Sequence, residues 1–493
     1  MVVAAVVAAS VAAVAFSGTR LDPATQAQAD GCGRDAAGLF KKEQPTWVYV
    51  NDASSPATGP VPAAQRAQGR VSASPVWLAA HPTDVDDPVT HDSFDFLVNV
   101  KADPAYAFLL GGNPSAGTGN FAGDDEETGR LHTEWEEKAF RSFAWPGAGD
   151  RVELYGSWVW DCGHWQEGGE RTELHPLRAV WVQRRGVSPH SPTGETEGDL
   201  FISTDKTPAG QSADCAHRTK GDRAAFKTCL ASEPNRQNVN GSYRFTLPAP
   251  ARPGPGTKLR VRVVDAGSTP GAPAVHVVPG GRGATVSVTV AAPADRRLVL
   301  AKQVFVGWTP TPARALPVHL RISFEKILVR RAMDPGCPPT DPACASVETT
   351  HRGQISKPGG EWVLYWAVAG VWGRWQPALL HPVDGQTIKS GQTVDVYVGR
   401  GSPWRLVVAG RECDNGSLSA HSITLPPSPC PGGTGEFLDL VGDDSPGTVA
   451  DAYPSPSAAE GEHVSNALSD HSSCPPVNSH GCYEVTYRVS IVR

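Results

Sequence analysis

Charge is thin along this chain. Asp, Glu, Lys and Arg make up 19% of it, against about a quarter in an ordinary globular protein. Lysine supplies only 12 of the 44 basic residues, and methionine occurs twice. A net charge of -7 and a pI near 6.1 lack the basic surplus of a nucleic-acid binder, so no nucleic-acid partner is expected. The sustained Ala, Glu, Lys and Leu periods of a long bundle or coiled coil are missing too. No apolar run reaches the roughly 20 residues that a helical membrane span requires. There is no Gly-x-Ser-x-Gly elbow, no His-Glu-x-x-His and no phosphate loop, which excludes the hydrolases and nucleotide enzymes built on those local devices.

What is abundant is turn chemistry. Gly (51) and Pro (44) together make 95 of 493 residues, about 19% against a usual total of roughly 12%. Hydrophobic residues at 40% still suffice for cores. At about 150 residues per domain this length suggests about three domains. Short apolar alternations between turn-rich stretches predict an all-β protein. Phe94, Phe96, Val98 and Val100 alternate with polar neighbours, and Val152, Leu154, Gly156, Trp158 and Trp160 share a face of the next strand. Trp362, Leu364, Trp366 and Val368 repeat the pattern late in the chain. Helix is expected only as one short piece near 132–141, where Thr133, Glu134, Glu136 and Glu137 suit a first turn.

The amino-terminal run Val2 to Phe16, about fifteen residues of mostly Val and Ala, suits the apolar part of a signal peptide, and Ala27-Gln28-Ala29 fits a cleavage site. An uncleaved anchor is the alternative. Residues 1–29 are therefore expected to direct export, giving a secreted or envelope-associated protein with no membrane span in the mature chain. Ten cysteines agree with an oxidising compartment. Their spacing suggests the pairs Cys215–Cys229, Cys337–Cys344, Cys413–Cys430 and Cys474–Cys482. Cys32 and Cys162 remain, to pair with each other or for Cys162 to join His164 as a metal ligand. Composition breaks divide the rest into a lead-in segment over 30–75, a small barrel over 76–205, a sandwich with a cysteine loop over 206–317, and a sandwich over 318–493.

Two side-chain groups carry chemistry. Asp161 and His164 lie at the end of one strand, and Glu173 and His175 lie two apart on the next, so both project to the same face. Carboxylate with imidazole is a ligand set for zinc or manganese, which with water can run metal-assisted hydrolysis. The competing reading is a capped turn and cross-strand hydrogen bonds. A further acidic and histidine group, His81, Asp84, Asp86, Asp87, His91, Asp92 and Asp95, lies upstream. In the last domain Asp334, Glu412, Asp414, Asp443 and Asp444 flank strands, as calcium-binding loop carboxylates do; ordinary solvated loops are the alternative. Tryptophans crowd the first and last domains, either as core or as a surface on which sugar rings stack.

The run from Gly149 and Asp150 through Val152, Gly156 and Trp158 to Asp161 and His164, followed by Glu173-Leu174-His175-Pro176, resembles a module of uncharacterised bacterial exported proteins. That resemblance covers about 120 residues and implies a small five-stranded barrel of the oligonucleotide/oligosaccharide-binding type, without an assigned activity. The insertion over 112–130 and Cys162 depart from the module. The segment from about 318 onward resembles C2-like sandwiches, whose loops hold calcium. The function expected is non-catalytic binding of an extracellular ligand, a glycan or envelope component, with a metal-dependent hydrolase as the alternative.

Overall fold

The computed structural model describes residues 47–50, 64–72, 80–84, 95–122, 128–136, 140–161, 171–205, 214–215, 217–219, 223–232, 236–291, 296–332, 362–377, 380, 382–412, 447–467 and 482–492. Strands dominate, as the alternating patterns require. The largest sheet has eleven strands. Its centre is β7 (Arg151–Asp161) against β8 (Arg171–Gln183). On the β7 side lie β1 (Trp47–Tyr49), β2 (Gln65–Val71) and β5 (Val100–Ala102). On the β8 side the neighbour changes along the strand. The first residues pair in parallel with β6 (His132–Glu136), which continues to β4 (Asp95–Val98) and β3 (Ala80–Asp84). The last residues pair antiparallel with β9 (Thr196–Ser203), and the sheet goes on through β14 (Val299–Thr309) to β11 (Lys258–Asp265). Pro176, lacking an N–H to donate, sits between these two neighbours.

Around residues 65–183 the strands β2, β7, β8, β6 and the β4–β5 segment pair in succession, and β5 pairs back onto β2 with Val100 bridged to Leu131, so the large sheet curls round on itself here. Two expectations are corrected. Strands from 258–309 complete that sheet, so it runs across the boundary placed at 205/206. Among the described residues the helix expected near 132–141 does not form: 132–136 is β6, because tertiary pairing overrides a weak local preference. A helix does form where a loop was expected, α1 (Arg223–Ser232), and Cys229 on it bonds Cys215 with Cα atoms 5.7 Å apart.

Both faces of the large sheet are covered. Tyr155, Trp181, Leu200, Ile202 and Val304 face a small sheet of β10 (Gly241–Pro248), β13 (Gly283–Val290) and β12 (His276–Gly280). Val152, Leu154, Val180, Val182 and Phe201 face the other way, into a core shared with the carboxyl-terminal unit.

That unit is a sandwich. One sheet holds β15 (Val318–Arg331), β18 (Thr387–Lys389), β19 (Thr393–Val398), β22 (Gly461–Ala467) and β23 (Cys482–Val492). The other holds β16 (Trp362–Val368), β17 (Val371–Arg374), β20 (Trp404–Glu412) and β21 (Val449–Tyr453). Trp362, Leu364 and Val368 point between the two sheets, whereas Val363, Tyr365 and Ala367 point into the shared core. β16 is thus covered on both faces, which is why it reads as an unbroken apolar run.

Candidate metal centre

β6 and β8 each carry an imidazole and a carboxylate two residues apart, in opposite order: His132-x-Glu134 and Glu173-x-His175. Alternation sends each pair to one face. The parallel register sets His132 beside Glu173, and one pleat further on Glu134 stands beside His175. The result is a chequered square in which each imidazole has a carboxylate both along its own strand and across to the next. His132 Nε2 contacts Glu134 Oε1. His175 Nδ1 lies 3.2 Å from Glu134 Oε2 and 3.3 Å from Glu173 Oε1. One ligand atom from each of His132, Glu134 and Glu173 can be chosen so that all lie within 4.8 Å of one another.

The site is almost dry. Glu134, Glu173 and His175 are at most 1% exposed, and only His132 reaches water appreciably. Two carboxylates in such a place repel each other and lose hydration, so their charge must be offset. Imidazolium, a bound proton or a metal ion can each offset it. His132 Nδ1 lies 2.8 Å from Asn99 Oδ1. Because an amide oxygen only accepts, Nδ1 is the protonated nitrogen and donates to it. In the neutral ring Nε2 then presents its lone pair toward the carboxylates, the tautomer a metal-bound histidine adopts when its far nitrogen is held by a neighbour.

Beyond the square the same face stays polar. Tyr49 donates to Asp214 Oδ1 at 2.6 Å and sits edge-on to His217, and Arg178 donates to Ser157 Oγ at 2.8 Å. Burial, then the Asp214 charge, pushes the Tyr49 phenol well above its ordinary range despite Arg178 nearby. The opposite face of the same strands carries Leu174, Trp158 and Trp160 in the core.

The sequence-predicted residues divide unevenly. Glu173 and His175 meet as expected. Asp161 is buried and lies opposite Arg171, one pleat from the Val159–Glu173 rung, on the same face of the sheet. His164 lies outside the described residues. His132, Glu134 and the positioning Asn99 were missed, because β6 was read as helix. The mirrored His-x-Glu and Glu-x-His spacing was the signal that could have found them. Of the upstream group, Asp95 is on β4, next to β6, and His81 and Asp84 are on β3, one strand further out; the rest lie outside the described residues. So do Asp334, Asp414, Asp443 and Asp444; Glu412 ends β20, its backbone opposite Trp362. Besides Cys215–Cys229, Cys482 is disulfide-bonded, while Cys32, Cys162, Cys337, Cys344, Cys413, Cys430 and Cys474 lie outside the described residues. The sugar-stacking surface is not supplied by the described tryptophans of known burial, since all except Trp308 and Trp366 are buried. Among the described residues no helix is long and apolar enough to cross a membrane.

No protein-family model matches this chain, and no curated protein does. Among solved structures, one of Extended-Synaptotagmin 2, comprising its SMP domain and two C2 domains, superposes over 87% of this chain and 90% of that chain, with 9% identity and a TM-score of 0.18. A score so low carries no argument, and the all-β assignment stands on the strands themselves.

Proposed function

We propose that this chain is an exported binding protein with a buried transition-metal centre formed by His132, Glu134, Glu173 and His175. The observation that supports this is the convergence of the imidazole and carboxylates on one dry face. Two nitrogens and two carboxylate oxygens suit zinc or manganese, and zinc foremost where four protein ligands close around the ion. Near-complete burial favours a stabilising ion over a catalytic one, since a catalytic metal keeps a position open for water. The ion would hold β6 to β8 at the seam where the large sheet changes neighbours. Binding of an extracellular ligand, a glycan or envelope component, belongs to the rest of the surface, and loop calcium in the last domain remains part of the proposal.

Metal analysis of the purified full chain tests the centre. About one zinc or manganese per chain is expected, lost in Glu173→Gln and in His132→Ala. Chelation should lower the melting temperature, because an ion bound only to the native state stabilises by RT ln(1 + [L]/Kd), about 2.7 kcal/mol at a hundredfold excess over Kd. A chain that contains no metal and takes up none on titration would leave a paired imidazolium–carboxylate square and sink the proposal.

A further inference from the structure

A second site lies between the large sheet and the carboxyl-terminal sandwich, independent of the metal reading. The face of β16 and β20 that docks on the large sheet is apolar at one end, where Val363, Tyr365, Val407 and Ala409 are buried. At the other end the two units diverge and leave a cleft of about 560 Å³, within the roughly 300–1,000 Å³ typical of small-molecule sites.

Its charges are unbalanced. Arg184, Arg185 and Arg405 line it against a single acid, Asp150. Asp150 is fully committed: Oδ2 accepts from the Gly147 amide at 2.9 Å and lies 3.3 Å from Arg184, and Oδ1 accepts from the Arg185 amide at 2.8 Å. Arg184 is committed as well, to Asp150, Asp199 and three main-chain carbonyls. Arg185 and Arg405 are different. Both are exposed, and neither has an ion-pair partner among the described residues.

Both are also positioned. The Arg185 backbone is held by Asp150, and its side chain runs along Gly149, where a Cβ would come within 3.3 Å of its Cδ and Nη1. Arg405 is fixed on β20 opposite Ala452 of β21. The wall also includes Tyr397 and Ser402, while the Trp404 and Tyr453 rings, 4.7 Å apart, pack into the sandwich core behind it. Gly186 and Gly370 leave open space where a side chain would begin, so a ligand can approach the backbone.

We infer that this cleft binds a small anionic ligand whose carboxylate or phosphate oxygens are taken by the Arg185 and Arg405 guanidinium groups. Guanidinium groups bind both oxyanions through paired N–H donors, and two cations with no ion-pair partner among the described residues raise the local anion concentration even on a chain of net charge -7.

The test is calorimetric titration of the full chain, at fixed ionic strength in chloride, with sodium glucuronate, inorganic phosphate and neutral glucose. Saturable binding of glucuronate or phosphate over glucose is expected, and whichever anion binds tighter identifies the oxyanion class. Arg405→Gln and Arg185→Gln should each weaken it about tenfold, equivalent to about 1.4 kcal/mol. Melting should not change in Arg405→Gln, because that side chain is exposed and unpaired. No binding of either anion, equal binding of glucose, or wild-type affinity in Arg405→Gln would overturn the inference.

Discussion

Arg184 is surrounded by acceptors. Its Nε donates to Asp199 Oδ2 at 2.6 Å, Nη1 reaches the Trp145 carbonyl at 2.7 Å and that of Gly370 at 3.1 Å, and Nη2 bonds the Phe143 carbonyl. Burial alone would pull its pKa down, but the Asp199 and Asp150 charges outweigh it and hold the guanidinium protonated. Removing one partner of a buried pair strands the other, at roughly 3–5 kcal/mol. Arg184→Met should therefore cost about that much in urea denaturation, whereas an exposed pair such as Arg488–Glu462 should cost under about 1 kcal/mol.

Two residues away along β9 from Asp199, Glu197 behaves differently. Burial opposes its ionisation, yet hydrogen bonds from His190 and Ser188 and the charges of His190 and Arg184 lower its pKa to about 2 from 4.5. A depressed carboxylate contributes stability that is present above the unfolded value and lost as pH falls toward the folded one. Glu197 should thus add a loss of stability between about pH 4.5 and 2. Glu197→Gln should flatten that slope in acid denaturation followed by circular dichroism, and an unchanged slope would refute the assignment. Asp199 is shifted the other way, upward, by burial and then by the Glu197 charge. Strain of another kind sits at Ala369, the only non-glycine of positive φ among the described residues, at 50° in the β16–β17 turn. A left-handed residue with a Cβ costs about 1–2 kcal/mol, so Ala369→Gly should raise stability by about 1 kcal/mol in the same assay.

Among the elements, β8 decides most. Its thirteen residues touch β7 throughout, β6 at one end and β9 at the other, so a single strand joins the imidazole–carboxylate square to the core beneath the small sheet. The alternation in β7 was legible, because apolar and polar residues take turns and one face must be buried, whereas Ala179-Val180-Trp181-Val182 of β8 is buried on both faces. The identity of β8's neighbours was not legible, since a strand records which face is apolar and nothing of which edge meets which strand. The same gap hid half the square: β6 is short, rich in Glu, and a poor strand former locally, and it becomes one only by pairing with β4 and β8. The Cys215–Cys229 link was readable from spacing. Closing a loop of 14 residues restricts the unfolded chain by about 3 kcal/mol. Replacing both cysteines by serine should lower stability by about 2–4 kcal/mol in chemical denaturation, chiefly by freeing α1.

At the scale of the whole molecule, the core between the large sheet and the sandwich joins residues far apart in sequence. Phe96 stacks on Trp145 at 4.4 Å, and both meet Trp372 of β17 edge-on. Trp372 also donates its indole N–H to the Pro146 carbonyl. Burial of this kind contributes about 25 cal/mol per Å² of apolar surface, which ties the unfolding of one unit to that of the other. Calorimetry of the full chain should show these units melting in one transition. Tyr365→Asp, which places a charge in the shared core, should lower that transition or split it in two. Two separate transitions in the wild type would mean that the shared core couples nothing.

The residues themselves determined the class of fold, the alternating cores and the pairing of Glu173 with His175, and suggested the Cys215–Cys229 link that the structure shows, since each depends on neighbours within one strand or one short loop. Only the tertiary structure decided that His132 and Glu134 complete the square, that the sheet runs past residue 205, and that β16 is covered twice. The reason is physical: alternation fixes what a strand must bury, while the partner that buries it is chosen by packing between segments that are distant along the chain.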